Sequence, residues 1–396
     1  MTYISRGVLL LAAGTIACAA QPAAAETGVS DDTIKIGAWG PLSGPISLLG
    51  ESMRDGLRVC VREINEAGGV GGRQLELTVY DDAASPQEAQ AAIRRLLDQD
   101  EVFMLLGGST SGSTLPVRHV ITRNQVPFIA SISSNINLMD PFSRYIFRIY
   151  ANEVAQAGSI VDWMVERDGI ERPAIIYNSN DYGVGGYEVF KERLAEKHGI
   201  EPVAAERYNP GDQDFSAQLL RIKEGNPDGL LVFSFAAEAG IIVRQAHELG
   251  IDAKLFGGGG TATPLFQRGA GDAAKGFVAD FVLPQLPHSD KPEVKAYRDN
   301  LEQWFYPDGF PPGRPSEYDL AAYGACRVAA EAMRQVGQDL IREKLVDALE
   351  SFDEFDTGVT FPVSYSPESH EATDQVLIVQ VGDDLEWQPH PDLAEK

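Results

Sequence analysis

Residues 34–80 read IKIGAWGPLSGPISLLGESMRDGLRVCVREINEAGGVGGRQLELTVY, and the change of period inside this stretch decides the fold. Ile34 to Trp39 is a short β-rich run. Met53, Leu57, Val61 and Ile64 then recur at helical spacing with charged residues on the other face, Gly68-Gly69 and Gly71-Gly72 end the helix, and Leu75 to Tyr80 is β-rich again. Strand, helix and strand in that order are the unit of a parallel sheet with helices on its faces.

The same beat runs outward. Strands are expected at Phe103 to Leu106, Pro127 to Ala130, Ala174 to Asn178, Val203 to Tyr208, Leu230 to Phe233 and Lys254 to Phe256, with helices between them. It falters at Tyr145 to Glu153, and again at Gly276 to Leu283, where a strand runs into the proline-rich segment Pro284 to Pro292. These breaks read as crossings between two lobes. Helical patterns follow at Glu293 to Phe305, Ser316 to Val336 and Asp339 to Ser351, then strand signals at Val359 to Tyr365 and Gln375 to Val381, with a third crossing near Phe361 to Pro367. The fold class expected is α/β, with two doubly wound parallel-sheet lobes. Lobe I takes residues 26–150 plus 283–362, and lobe II takes 151–282 plus 363–396.

Residues 1–25 carry one charge, Arg6, then the apolar run Val8 to Ala20 and Ala23-Ala24-Ala25 before Glu26, the pattern of a secretory signal peptide. The run is shorter than the roughly 20 residues that span a bilayer. Cleavage before Cys18, giving a lipid anchor, is the weaker reading because Thr15-Ile16-Ala17 lacks the leucine of a lipobox. A periplasmic protein is therefore expected. Removing 25 of 396 residues leaves 371, long for one core, so two lobes of ordinary domain size are the default. The formal charge of −25 becomes −26 without Arg6, which argues against nucleic acid or an anionic membrane surface as partner. Cys60 and Cys326 would remain in an oxidising compartment. Both lie on apolar helix faces, and the sequence reading favours two buried free thiols over a disulfide.

Two hydroxyl-rich turns carry the candidate chemistry. Gly107-Gly108-Ser109-Thr110-Ser111-Gly112-Ser113-Thr114 lies between a strand and a helix, where main-chain N–H groups and hydroxyls cradle a carboxylate; an ordinary helix cap is the competing reading. Its core Gly108-Ser109-Thr110-Ser111-Gly112 places threonine where a hydrolase elbow needs its nucleophile, which argues against a serine hydrolase. Ser131-Ile132-Ser133-Ser134-Asn135 follows the next strand and should open on the same sheet edge. The run Gly257 to Gly260 has neither the Lys-Ser/Thr of a phosphate loop nor a dinucleotide fingerprint. The six histidines have no metal-ligand spacing, so no catalytic residue, metal or cofactor is expected. Trp39, Tyr150, Tyr182 and Phe235 stand near predicted strand ends, and Tyr182 lies in the polar loop Asn178-Ser179-Asn180-Asp181-Tyr182-Gly183. Aromatic residues are more often core than pocket wall.

Taken together, IKIGAWGPLSGP at 34–45, INEAGGVGGRQLELTVYDDAASPQEA at 64–89, the SGST turn, IIYNSNDYG at 175–183 and VRQAHELG at 243–250 resemble the leucine/isoleucine/valine-binding protein family of type I periplasmic binding proteins. The resemblance covers nearly all of the chain after residue 25. It implies a ligand held between closing lobes and delivered to the membrane permease of an ABC importer, by a monomer and without enzymatic turnover. On matching positions it implies a carboxylate met by Ser111, the backbone of Ile132, and Ser134 in place of the usual threonine, with Tyr182 and Tyr318 covering the ligand. Two family tyrosines are replaced by Leu49 and Phe235, and the family's disulfide is lost at Ala84 and Thr110. Where amino acid binders of the family place a glutamate to pair with the ligand's ammonium, this chain has Gly259, leaving Glu153 as the candidate substitute. The expected ligand is a small carboxylate with an apolar or aromatic body. A branched-chain amino acid, or a sensor role for the same fold, are the alternatives.

Overall fold

In the computed structural model, residues 26–393 are described, so the signal peptide and Cys18 lie outside the described residues. β1 (Thr33–Gly40), β2 (Gln74–Asp81), β3 (Met104–Gly107), β4 (Phe128–Ala130) and β5 (Ile146–Arg148) form a parallel sheet in the order β2-β1-β3-β4-β5. β6 (Pro173–Asn178), β7 (Ala204–Tyr208), β8 (Gly229–Phe233), β9 (Lys254–Gly257), β10 (Val278–Phe281), β11 (Leu377–Val381) and β12 (Trp387–Pro389) form a second, in the order β12-β11-β10-β9-β8-β6-β7. Central strands such as β3 and β8 are buried along their whole length, whereas β2, at an edge, buries only Leu75 fully. That is the burial expected where helices cover both faces of a parallel sheet.

Two strands escape the sequence reading. β5 has three residues inside the first expected crossing, and β12 has three near the end of the described chain. Runs this short carry no periodicity. β11 and β12 pair antiparallel, extending the second sheet beyond its parallel body. The strand expected at Val359 to Tyr365 does not form; that segment makes isolated bridges, and Glu371 beyond it pairs with Arg148 at the end of β5.

The helix Ser47–Glu66 buries Met53, Leu57, Cys60, Val61 and Ile64. It lies against the helix Glu317–Val336, and at Gly56 the approach is close enough that a Cβ would stand 2.1 Å from the Asp319 carbonyl oxygen. This juxtaposition corrects the thiol expectation. Cys60 and Cys326 face each other with Cα atoms 6.2 Å apart and form a disulfide across 266 residues. Helix phase placed both cysteines on buried faces, but only the pairing of the two helices brings those faces together.

The same helix pair holds a buried charge network. The Arg314 guanidinium reaches Asp55 at 3.0 Å and also Asp319, while Asp319 accepts from the Ser316 main-chain N–H at 2.7 Å. Burial would push the Asp55 carboxyl up, but Arg54 and Arg314 hold it below its ordinary value.

Candidate functional site

β3 and β4 are parallel neighbours, with Leu106 beside Ile129 and Gly107 beside Ala130, so the turns after them leave the same sheet edge. Main-chain amides of Ser131 and Ser133 donate to the carbonyls of Gly107 and Gly108 at 2.8 and 2.9 Å, stitching the turns together. Those of Ile132 and Ser134, alternating with them, make no hydrogen bond among the described residues. The capping role falls to Thr110, whose hydroxyl accepts from Ser113 N–H at 3.3 Å. Ser111 is thereby spared. Its Oγ accepts from the Asn135 amide at 3.3 Å and from Ser133 Oγ at 3.4 Å, which leaves its own hydrogen free to point elsewhere.

These turns form one wall of a cavity. Ser109, Thr110, Ser111, Ile132, Ser133 and Ser134 supply that wall, with Leu49 beside them. Opposite are Tyr182, Phe235 and Gly260, from the ends of β6, β8 and β9, while Tyr150, Gln156 and Tyr318 complete the lining. Tyr182 stacks on Phe235 with ring centres 5.3 Å apart and lies 4.5 Å from Phe233. Its hydroxyl accepts from Gly260 N–H at 3.3 Å, and the Tyr318 hydroxyl donates to the Gly260 carbonyl at 3.3 Å. Burial, followed by neighbouring acids, raises Tyr150, Tyr182 and Tyr318 well above the ordinary tyrosine value. All three therefore keep their donor hydrogens at neutral pH.

The two halves meet across this space. Asn135 Nδ2 donates to the Asp181 carbonyl at 2.9 Å, and the Tyr318 bond to Gly260 makes a second bridge.

Of the residues read from sequence, Ser111, Ile132, Ser134, Tyr182, Leu49, Tyr150, Phe235 and Tyr318 all line the cavity. Trp39 does not. Its ring packs 5.0 Å from Phe128 in a separate hydrophobic cluster beneath β1, because alternation along the strand turns it to the other face of the sheet. Gly259 is not on the wall either; its neighbour Gly260 is. Glu153 stands behind Ser134, whose hydroxyl donates to Glu153 Oε1 at 3.5 Å, while Oε2 is buried without a partner. Burial pushes the Glu153 carboxyl up to about 8 against the pull of Arg148.

Sequence reasoning missed Gln156, Asp280 and Glu317. Gln156 lines the cavity with an unpartnered Oε1, its amide nitrogen donating to the Ala151 carbonyl at 2.5 Å. Asp280, fully buried on β10, has no side-chain partner for its carboxyl, which only the nearby main-chain amides of Gly259 and its own residue approach. Glu317 accepts from the Tyr150 hydroxyl at 2.9 Å and leaves Oε2 unpartnered. A signal for Asp280 existed: it is the lone acid in the run Phe277-Val278-Ala279-Asp280-Phe281-Val282-Leu283, where every neighbour is apolar.

Residues 33–385 match the family described as "Periplasmic binding protein". The leucine-, isoleucine-, valine-, threonine- and alanine-binding protein of Pseudomonas aeruginosa is 30% identical over 326 residues, 82% of this chain and 84% of that protein. The branched-chain amino acid transporter substrate-binding protein of Streptococcus pneumoniae, solved in complex with isoleucine, is 25% identical with a TM-score of 0.77, covering 90% of this chain and 100% of that one. A solute-binding protein of an ABC transporter from Rhodopseudomonas palustris, solved with 3,4-dihydroxybenzoic acid, is similar in fold at 22% identity and a TM-score of 0.79, covering 91% and 96%.

Proposed function

The chain belongs to the periplasmic binding protein family, among the solute-binding proteins of ABC transporters, and from that premise we propose that it captures a small carboxylate-bearing solute with an apolar or aromatic body. Its relatives bind solutes and do not transform them, and it is not an enzyme. Among the described residues no helix is long and apolar enough to cross a membrane. In this reading the signal peptide exports the chain to the periplasm, where it works as a monomer, and the lobes are residues 26–150 plus 283–362 and residues 151–282 plus 363–396.

The observation that carries the ligand class is the convergence of two serine-rich turns on a cavity whose lining contains no cation. A carboxylate there would be held by neutral donors: the Ser111 hydroxyl and the free main-chain amides of Ile132 and Ser134. Hydrogen bonds to a charged group are worth about 1.5–3 kcal/mol each, so a few suffice without a salt bridge. Leu49, Tyr150, Tyr182, Phe235 and Tyr318 form the apolar surround.

A branched-chain amino acid is a specific case of the same reading, favoured by what the Pseudomonas relative is named for binding. A thermal-shift screen over amino acids, aromatic acids, short fatty acids and amides tests the class, since a solute that binds only the folded form raises the melting point. Carboxylates should raise it and matched amides should not. If no carboxylate does, the reading fails.

A further inference from the structure

The unpartnered oxygens around the cavity are unevenly distributed. Asp280 and Gln156 direct theirs at the same place: a Cβ built on Gly259 would stand 2.9 Å from Asp280 Oδ2 and 3.1 Å from Gln156 Oε1. The missing side chain at 259 thus leaves room for a carboxylate and an amide oxygen that arrive from other elements, β10 and the helix Glu153–Asp162. Gln156 and Gly260 line the cavity, and Gly259 and Asp280 lie next to them behind its wall.

Neither acceptor is satisfied internally. Gln156 donates one amide N–H to the Ala151 carbonyl and keeps Oε1 free, and the fully buried Asp280 carboxyl meets no side-chain donor, only the nearby main-chain amides of Gly259 and of its own residue. A buried acceptor without a partner costs about 1–3 kcal/mol, and more for a charged one. No lysine, arginine or histidine lines the cavity to offset this. Glu153 is less well placed for the same role: its free Oε2 is directed at Gly185, where a Cβ would be only 2.2 Å away.

We propose that Asp280 and Gln156 together form a subsite for a positively charged nitrogen of the solute, with Asp280 supplying from β10 the negative charge that the glycine loop does not. The inference rests on reading the cavity as the solute site, and it deepens that reading. The carboxylate end of the solute lies at the Ser111 and Ser134 turns and the amine end at Asp280, so the solute spans the cleft from one lobe to the other. Gly259 is then required for space, because a side chain there would press on both acceptor oxygens.

The test uses matched pairs that differ by one amine: leucine against 4-methylpentanoate, and phenylalanine against 3-phenylpropanoate. Titration calorimetry on the full chain should find at least one amine-bearing member bound tenfold or more tightly than its amine-free partner. Asp280→Asn should erase that preference. Gln156→Met should reduce the preference by a smaller factor, and Glu153→Gln should leave it in place. Circular dichroism checks that each variant is folded, and should Asp280→Asn not fold, Gln156→Met decides. If the preference survives in Asp280→Asn, or passes to Glu153→Gln, the subsite is wrong while the carboxylate reading stands. If wild-type protein binds neither member of any pair nor any other carboxylate, the reading of the cavity itself falls.

Discussion

Two groups of buried carboxylates stand in contrast. Asp55 and Asp319, between the helices Ser47–Glu66 and Glu317–Val336, share the Arg314 guanidinium and further donors from Arg54, Tyr306 and Ser316. Glu153, Asp280 and Glu317, near the cavity, each leave at least one oxygen with no cation or side-chain donor. Both groups are equally removed from solvent. Charge that is matched inside the protein holds its elements in register, whereas charge left unmatched beside a cavity awaits something from outside.

If that contrast is sound, breaking the matched group should have the largest effect. Arg314→Ala strands two buried carboxylates and should destabilise the protein by about 3–5 kcal/mol, read as a fall in urea midpoint, with Arg314→Lys less severe. Reducing the Cys60–Cys326 disulfide loosens the same helix pair and should cost about 2–4 kcal/mol, measured by denaturation with and without reductant. An unchanged midpoint would mean that the helices hold together without it.

Around the cavity the effects should fall on binding. Ser111→Ala should weaken a carboxylate ligand by about 1–3 kcal/mol with little change in melting point of the ligand-free protein. A loss of stability without loss of affinity would move Ser111 from the cavity side of the comparison to the matched, structural side.

The unmatched acids also set a pH dependence opposite to that of Asp55. Glu153 titrates near 4.5 when unfolded and at about 8 when folded, so the unfolded chain loses that proton first. Stability should therefore decline as pH rises from about 4.5 to 8, by up to about 1.4 kcal/mol per unit for each such group. Asp280, raised from 3.8 to about 8 by burial, acts in the same direction. Glu153→Gln should flatten part of this slope in urea titrations at pH 5 to 8; an unaltered slope would show Glu153 to be ionised and matched after all. Asp55, held low, stabilises above its unfolded value and loses that contribution as pH falls. Smallest of all, the exposed Arg62–Glu66 pair should contribute no more than about 0.5 kcal/mol, so that Glu66→Gln barely moves the midpoint.

What was legible in the sequence was what is local. The βαβ period and the hydroxyl turns at Ser111 and Ser134 each depend on neighbours within a few residues. Because parallel strands β3 and β4 lie side by side, local position was enough to bring those turns together. Three residues at β5 and three at β12 were too few to show a period.

Tertiary structure alone decided the rest. Cys60 and Cys326 are 266 residues apart, and helix phase gives direction but no distance. Trp39 was placed correctly at a strand end and lost to the cavity by the alternation of one strand against one sheet. Gln156, Gly259 and Asp280 sit on a helix, a loop and a strand far apart in the chain, and nothing in the neighbourhood of any one of them predicts the other two. An ion-binding site of that kind exists only as a set of distances, and those are fixed by how the elements pack, not by any residue's own propensity.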